Sequence, residues 1–370
     1  MDLGIYIHIP FCLHKCPYCD FNSIVINPLP EERYVKALLD EMRDRAGEFK
    51  KHTVETIYLG GGTPSLFSPL SIGTILEEIE NNFSLGEGIE ITIEANPNTV
   101  SHVKLSAFHS LSINRLSLGV QSFRDDCLKI LGRVHTAQEA LSAFDQARKA
   151  GFENVGIDLI FGIPHQTLDD WEGDLVRALN LQPEHISTYQ LHVEEGTPLY
   201  QSMARGELAL PSEELQAEMF EATWERLDQA GYEHYEISNF ARSGLRSRHN
   251  QRYWKQKEYL GIGAGAHSFL WKGWGMRRAN ITNPLLYLES TERIGYEEKL
   301  KKEEAIEEAI FLGLRQREGI DLKSFEERFG LTLYPHYPFL EGLLKEESGR
   351  LKLTPRGLLL SNEVFLRLMP

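Results

Sequence analysis

Cysteine is scarce in this chain, with four among 370 residues, too few for the disulfide framework of a small secreted domain. Long apolar runs are missing too. Nothing approaches the roughly 18 consecutive apolar residues of a membrane span, and the opening Met1-Asp2-Leu3-Gly4 enters a strand without a basic signal region. Positive charge is in deficit: 39 Lys and Arg stand against 54 Asp and Glu, a formal −15. That balance argues against a general phosphate-binding surface, so nucleic acid is not expected as a partner. Ser/Gly-rich or Pro-rich spacers, low-complexity tracts and internal repeats are also lacking. What remains is a cytoplasmic globular protein with no transmembrane segment, long enough for one large α/β domain and a smaller second one.

The few cysteines are unevenly placed. Cys12, Cys16 and Cys19 share the stretch from Ile5 to Phe21 in a C-x3-C-x2-C spacing. Three thiolates on a short loop can grip three corners of a cubic iron-sulfur cluster and leave one iron open to a substrate. Zinc is the rival, because His8 or His14 could complete a Cys3His tetrahedron. A disulfide would strand one thiol. Cys127 lies apart at a helical position and reads as a buried structural thiol.

Short β-branched runs recur at Gly4–Ile9, Val54–Leu59, Ile89–Ala95, Asn114–Val120, Val155–Phe161 and His185–Leu191, with helical patterns between them. Strand then helix, repeated, predicts a parallel sheet. Pro30 and Ser68-Pro69 open two of the helices, Thr136 and Glu139 form a capping box for a third, and a fourth runs from Thr167 through Leu179. Six such units predict an incomplete TIM-like barrel, whose site belongs at the C-terminal ends of the strands. Gly60-Gly61-Gly62-Thr63-Pro64, Glu94-Ala95-Asn96-Pro97, Gly119-Val120-Gln121-Ser122-Phe123 and Asp158 fall at those ends. The glycine triplet lacks the Lys-Ser/Thr of a P-loop and suits a turn or a close approach of backbone to a ligand.

The rhythm changes after about residue 205. Pro211-Ser212 opens a long helix to Gly231, and Arg248-His249-Asn250-Gln251-Arg252-Tyr253-Trp254 follows. The spacing in Gly261-Ile262-Gly263-Ala264-Gly265-Ala266 is wrong for a dinucleotide fingerprint and predicts a tight sheet-to-helix turn. Glu297 to Glu308 reads as a solvated amphipathic helix. Asp321–Phe329, a hairpin over Leu343–Leu353 and Pro355–Leu366 predict a small winged-helix-like unit, whose acidic setting favours protein contact over DNA. The expected divisions are a core barrel over 1–205, a connecting helix and extension over 206–300, and a helical, winged-helix-like α+β unit over 301–370.

The cysteine loop resembles that of the radical S-adenosylmethionine superfamily, in which the methionine group of the cofactor occupies the open iron of a [4Fe-4S] cluster. Tyr-x-His-x-Pro-Phe before the loop, Gly-Gly-Gly-Thr-Pro, Ile-Glu-Ala-Asn-Pro, Gly-Val-Gln-Ser-Phe and Asp-Leu-Ile-Phe-Gly-Ile-Pro together resemble the oxygen-independent coproporphyrinogen III oxidase family over roughly residues 3–200. The resemblance implies Cys12, Cys16 and Cys19 as cluster ligands, Tyr6, Gly61, Gly62, Thr63, Glu94, Gln121, Arg133 and Asp158 as S-adenosylmethionine contacts, and Tyr18 as a shield or contact of the cluster. Two departures tell against porphyrinogen decarboxylation. Phe21 stands where the decarboxylating enzyme has a fourth cysteine, and Cys12 is reached almost at once, without that enzyme's N-terminal extension. His-Asn-x-x-Tyr-Trp at 249–254 is similar to the signature of the HemW-type haem chaperones, a branch of the same family that also has Phe after the cysteine loop. That resemblance implies haem as a further ligand, with His249 as a candidate axial group. It also implies a haem-acceptor protein and a reductant such as flavodoxin or ferredoxin as partners.

Overall fold

The computed structural model describes residues 1–333 and 340–368. Six strands lie side by side in chain order, every neighbouring pair parallel: β1 (Asp2–Ile9), β2 (Thr53–Gly61), β3 (Ser84–Ala95), β4 (Arg115–Gln121), β5 (Val155–Phe161) and β6 (His185–Gln190). Between them run α1 (Glu31–Ala46), α2 (Pro69–Asn82), α3 (His102–Ser110), α4 (Asp125–Ile130), α5 (Ala137–Lys149) and α6 (Leu168–Leu181). Several of these helices start where polar side chains satisfy free backbone donors. Ser68 accepts from the Ser71 amide, while Thr136 with Glu139 and Thr167 with Asp170 close reciprocal capping boxes.

Alternation sorts the strand residues into two layers. Leu3, Ile5, Ile7 and Ile9 are fully buried in one core with Tyr34, Leu38 and Met42 of α1. Gly4, Tyr6 and His8 therefore face the barrel interior.

The sheet continues on both sides. After α7 (Pro198–Ala204) and α8 (Glu213–Gln229), β7 (Glu233–Glu236) and β8 (Asn239–Ala241) extend it antiparallel beyond β6. Past α9 (Arg248–Trp254), β9 (Tyr259–Ile262) pairs parallel with β1. Antiparallel β10 (His267–Leu270), β11 (Met276–Asn280) and β12 (Ile294–Lys299) follow, with α10 (Pro284–Glu289) between the last two. The result is an open twelve-stranded sheet. The rest of the chain forms α11 (Lys302–Arg315), β13 (Ile320–Asp321), α12 (Leu322–Phe329), β14 (Leu344–Glu347), β15 (Arg350–Leu353), α13 (Pro355–Leu359) and α14 (Ser361–Leu368). Its three-stranded antiparallel sheet, ordered β13-β15-β14, and its helices share a second apolar cluster around Phe325, Leu351 and Phe365.

The architecture is thus α/β, a six-unit parallel half-barrel with a smaller helical and antiparallel C-terminal unit. Two local expectations are corrected. The glycine run at 261–266 turns from β9 into strand β10 and not into a helix, because Gly263 and Gly265 at φ +106° and +74° reverse the chain against β1. Glu297 to Lys299 belong to β12, where they pair with Met276 to Arg278, and the helix begins only at Lys302.

Candidate functional site

Strand register lines up the predicted residues along the barrel mouth. Ile9 of β1 pairs with Gly61 of β2, Leu59 with Ile93, Glu94 with Ser117, and Gly119 with Asp158. Asp158 sits at the middle of β5, one level deeper than the loops.

The cysteine loop leaves β1 and is tied back at its base. Cys12 N donates to Ile24 O at 2.9 Å and Ile24 N to Pro10 O at 2.7 Å, while Lys15 Nζ bonds the carbonyls of Phe21 and Ser23 at 3.0 and 2.9 Å. Gly62 is required by proximity, since a Cβ there would lie 2.8 Å from Phe11 O and 3.0 Å from Cys12 Sγ. A hydrogen-bonded chain then joins two of the thiols across three strand ends. Thr63 Oγ1 donates to Cys12 Sγ at 3.5 Å, Asn96 Nδ2 to Thr63 Oγ1 at 2.9 Å, Arg133 Nη2 to Asn96 Oδ1, and Arg133 Nη1 to Cys16 Sγ at 3.6 Å. Burial pushes the Cys12 and Cys19 thiols up, and proximity to the other thiols adds to it. Tyr18 packs at the edge of an apolar cluster containing Cys127, Leu131 and Leu199, so it wedges the loop against the barrel. Cys127 is buried, as expected.

Next to the loop, Glu94 accepts from Tyr58 Oη at 2.7 Å and from the Gly61 amide at 3.1 Å. Burial, then the charge of Asp158, raises its carboxyl to about 7. Asp158 accepts from Ser117 Oγ at 3.2 Å and is likewise raised by burial, against the pull of Ser187, Ser117, Arg115 and Arg133. Tyr189 of β6 stands on the same interior face and keeps 41% of its surface open. Tyr6 points into the same space, its hydroxyl 2.9 Å from His8 Nδ1. Gln121 takes a left-handed turn at φ +68° beside Gly119, whose carbonyl accepts from Arg133 at 3.0 Å.

These residues fit the groups the sequence implied. Three thiols on one loop suit three irons of a cluster, and the cradle at Gly62 has no room for a side chain. Arg133 leaves its buried Nε without a partner among the described residues, a donor suited to a carboxylate. Carboxylates at 94 and 158 suit a sulfonium, an ammonium and ribose hydroxyls. Zinc is less well served. The His8 ring is held by Tyr6 and by Asn22 O at 2.8 Å.

His249 stands beside Tyr6 and Tyr58 in the same interior. It is fully buried on α9, with Nδ1 2.8 Å from Thr56 Oγ1 and Nε2 2.8 Å from Tyr253 Oη. Burial lowers its pKa to about 3, so the ring is neutral. Both of its ring nitrogens are engaged in this arrangement. Arg248 and Arg252 are also occupied, by Glu55 and Gly88 and by the carbonyls of Asp2 and Glu258. Tyr58 and Asn96 are the partners that pattern reading passed over. Asn96 sat within a motif already singled out, and Tyr58 was hidden in an apolar strand run.

Residues 6–178 match the Radical SAM superfamily, and residues 300–360 match the HemN C-terminal domain. The chain is 39% identical to "Heme chaperone HemW" of Bacillus subtilis over 97% of both chains, and 38% identical to the protein of the same name from Lactococcus lactis over 97% of this chain and 95% of the relative. Among solved structures, that titled "Coproporphyrinogen III oxidase (HemN) from Escherichia coli is a Radical SAM enzyme" covers 100% of this chain and 90% of its own, with a TM-score of 0.85 at 24% identity, a likeness of fold. Among the described residues no helix is long and apolar enough to cross a membrane. By near-full-length similarity the chain belongs to the radical SAM superfamily and, within it, to the family of the heme chaperone HemW.

Proposed function

We propose that this protein is a cytoplasmic haem chaperone, which binds haem and a [4Fe-4S] cluster with S-adenosylmethionine and passes the haem to an acceptor protein. Near-full-length similarity to the heme chaperone HemW carries this reading. Phe21 supports it as well, standing where the resembling decarboxylase has a fourth cysteine.

Cys12, Cys16 and Cys19 would hold the cluster, with Tyr18 screening one side. When bound, the cluster supplies an open iron and an electron. The remaining work falls to the chain's own residues. Arg133 offers charged donors to a carboxylate, Glu94 and Asp158 offer acceptors to cations and hydroxyls, and Tyr6, Thr63 and Gln121 shape the space between. The Gly61-Gly62 backbone allows close approach. A reductant such as a flavodoxin or ferredoxin would meet the loop from solvent.

The test is anaerobic reconstitution followed by haem titration. Wild-type protein is expected to hold close to four irons and four sulfides and to bind haem, which an apo-acceptor then withdraws. Cys16→Ala is expected to lose the cluster. Conversion of coproporphyrinogen III to protoporphyrinogen, or haem binding no better than to an unrelated protein, would remove the chaperone assignment.

A further inference from the structure

An arginine lies at the floor of the half-barrel. Arg115 opens β4, and because Leu116 and Leu118 belong to the outer core, alternation turns Arg115 and Ser117 to the interior. Arg115 pairs with Thr92 of β3, and Ser117 pairs with Glu94 one interior position higher. On the other side Gly156 and Asp158 of β5 face the same way, between the core residues Val155, Ile157 and Leu159. The guanidinium reaches over Gly156, where a Cβ would stand 3.6 Å from Nη2. Arg115 therefore lies beneath both buried carboxyls of the site.

This cation is 2% exposed, and among the described residues its Nε bonds nothing and no carboxylate is paired with it. The two interior acids are engaged elsewhere, Asp158 with Ser117, and Glu94 with Tyr58 and the Gly61 amide. Few other charges face this space. Burial keeps His185 and His249 neutral and pushes up the tyrosines around it, Tyr6, Tyr58, Tyr189, Tyr235 and Tyr253. Glu236 is paired with Arg315, and Arg252 with Asp2. Arg133 stands at the mouth, bonded to Asn96, Gly119 O and Cys16. Once a ligand's carboxylate takes Arg133, Arg115 is the cation left to balance Glu94 and Asp158.

We infer that Arg115 is a positioning residue of the S-adenosylmethionine site, an unpaired buried cation that keeps Glu94 and Asp158 charged and leaves their oxygens free for a ligand; this rests on the cofactor contacts proposed above. A direct salt bridge would occupy the oxygens it neutralised. Set one interior position lower, with no side chain at Gly156 to block its head, the guanidinium acts through its field alone. Water screens that field little at a buried floor. It lowers both carboxyls against the rise that burial gives them. A sulfonium or ammonium entering at the mouth then meets anions first, with Arg115 behind them.

Infrared titration of the reconstituted full-length protein tests the assignment, following the protonated-carboxyl band that Glu94→Gln removes. Calorimetry with S-adenosylmethionine over the same pH range accompanies it. Arg115→Met and Arg115→Gln are neutral replacements of different polarity, so one still decides if the other fails to fold. Each is expected to move the midpoint up from about 7 by about one pH unit. Cofactor binding at pH 7 should weaken about fivefold and recover as pH rises past the new midpoint. Arg115→Lys, which keeps the charge, is expected to stay near the wild type in both. An unmoved band in a folded neutral variant, or an affinity loss equal at every pH, assigns Arg115 to packing and overturns the inference while the cofactor contacts stand. Absence of cofactor binding by the wild type, with the band still shifted in the variants, overturns those contacts and leaves the hold of Arg115 on the carboxyls standing.

Discussion

Glu94 shows how much one side chain's setting adds to its identity. As a sequence letter it is a carboxylate at a strand end. In the fold its carboxyl titrates at about 7, raised from 4.5 chiefly by burial and then by Asp158. A raised acid stabilises the fold most when protonated, below about pH 4.5, and that contribution is lost as pH rises through about 7. A cationic ligand needs the ionised form. Affinity for S-adenosylmethionine is therefore expected to climb about tenfold per pH unit below 7 and to level off above it, and Glu94→Gln to flatten the profile. Calorimetry at pH 6, 7 and 8 checks this, and a wild-type affinity independent of pH would remove Glu94 from the ligand. The gathering of the cysteines and this carboxylate at neighbouring strand ends was legible because their types and spacing are the signal. The setting of His249 was not, because only the fold brings Thr56 and Tyr253 to its two nitrogens.

At the scale of elements, the strand β2 and the cysteine loop behave as one unit. Gly62 N donates to Ile9 O at 2.9 Å, and the space beside its α-carbon is filled by the backbone of Pro10 and Phe11 and by Cys12 Sγ. Backbone atoms cannot swing aside as a side chain can. Gly62→Ala is expected to cost about 1–3 kcal/mol of overpacking strain and to move Cys12, so that reconstituted iron and sulfide fall by half or more while far-UV circular dichroism is kept. Full cluster content in this variant would show that the loop adjusts freely. The six parallel strands were legible because each is a short apolar run bracketed by helical periodicity. The arm β9–β12 was not, because its strands are short and several of them polar, as in Met276–Asn280 and Ile294–Lys299, and are recruited by edge pairing with no hydrophobic signal of their own.

The whole molecule depends on how that arm is fixed to the barrel, and one buried carboxylate in α1 does much of the fixing. Glu41, 3% exposed, accepts from Tyr287 Oη at 2.5 Å, from Asn280 Nδ2 at 2.7 Å and from the Gly263 amide at 3.0 Å. Those partners lie on α10, on β11 and in the turn after β9, so three separate pieces of the arm converge on a core helix. Tyr34 adds a parallel tie, its hydroxyl donating to His8 O and accepting from the Ala264 amide at 2.8 Å. Removing the carboxylate strands three buried donors, each costing about 1–3 kcal/mol when left unsatisfied, several kcal/mol together. Glu41→Ala is accordingly expected to destabilise the chain by that amount, and the loss should be local before it is global. Hydrogen exchange should rise first in residues 259–281, ahead of the six parallel strands, whose own pairing Glu41 does not touch. Uniform acceleration across β1–β6 and β9–β11 would mean instead that arm and barrel open as one cooperative body, with Glu41 stabilising both alike.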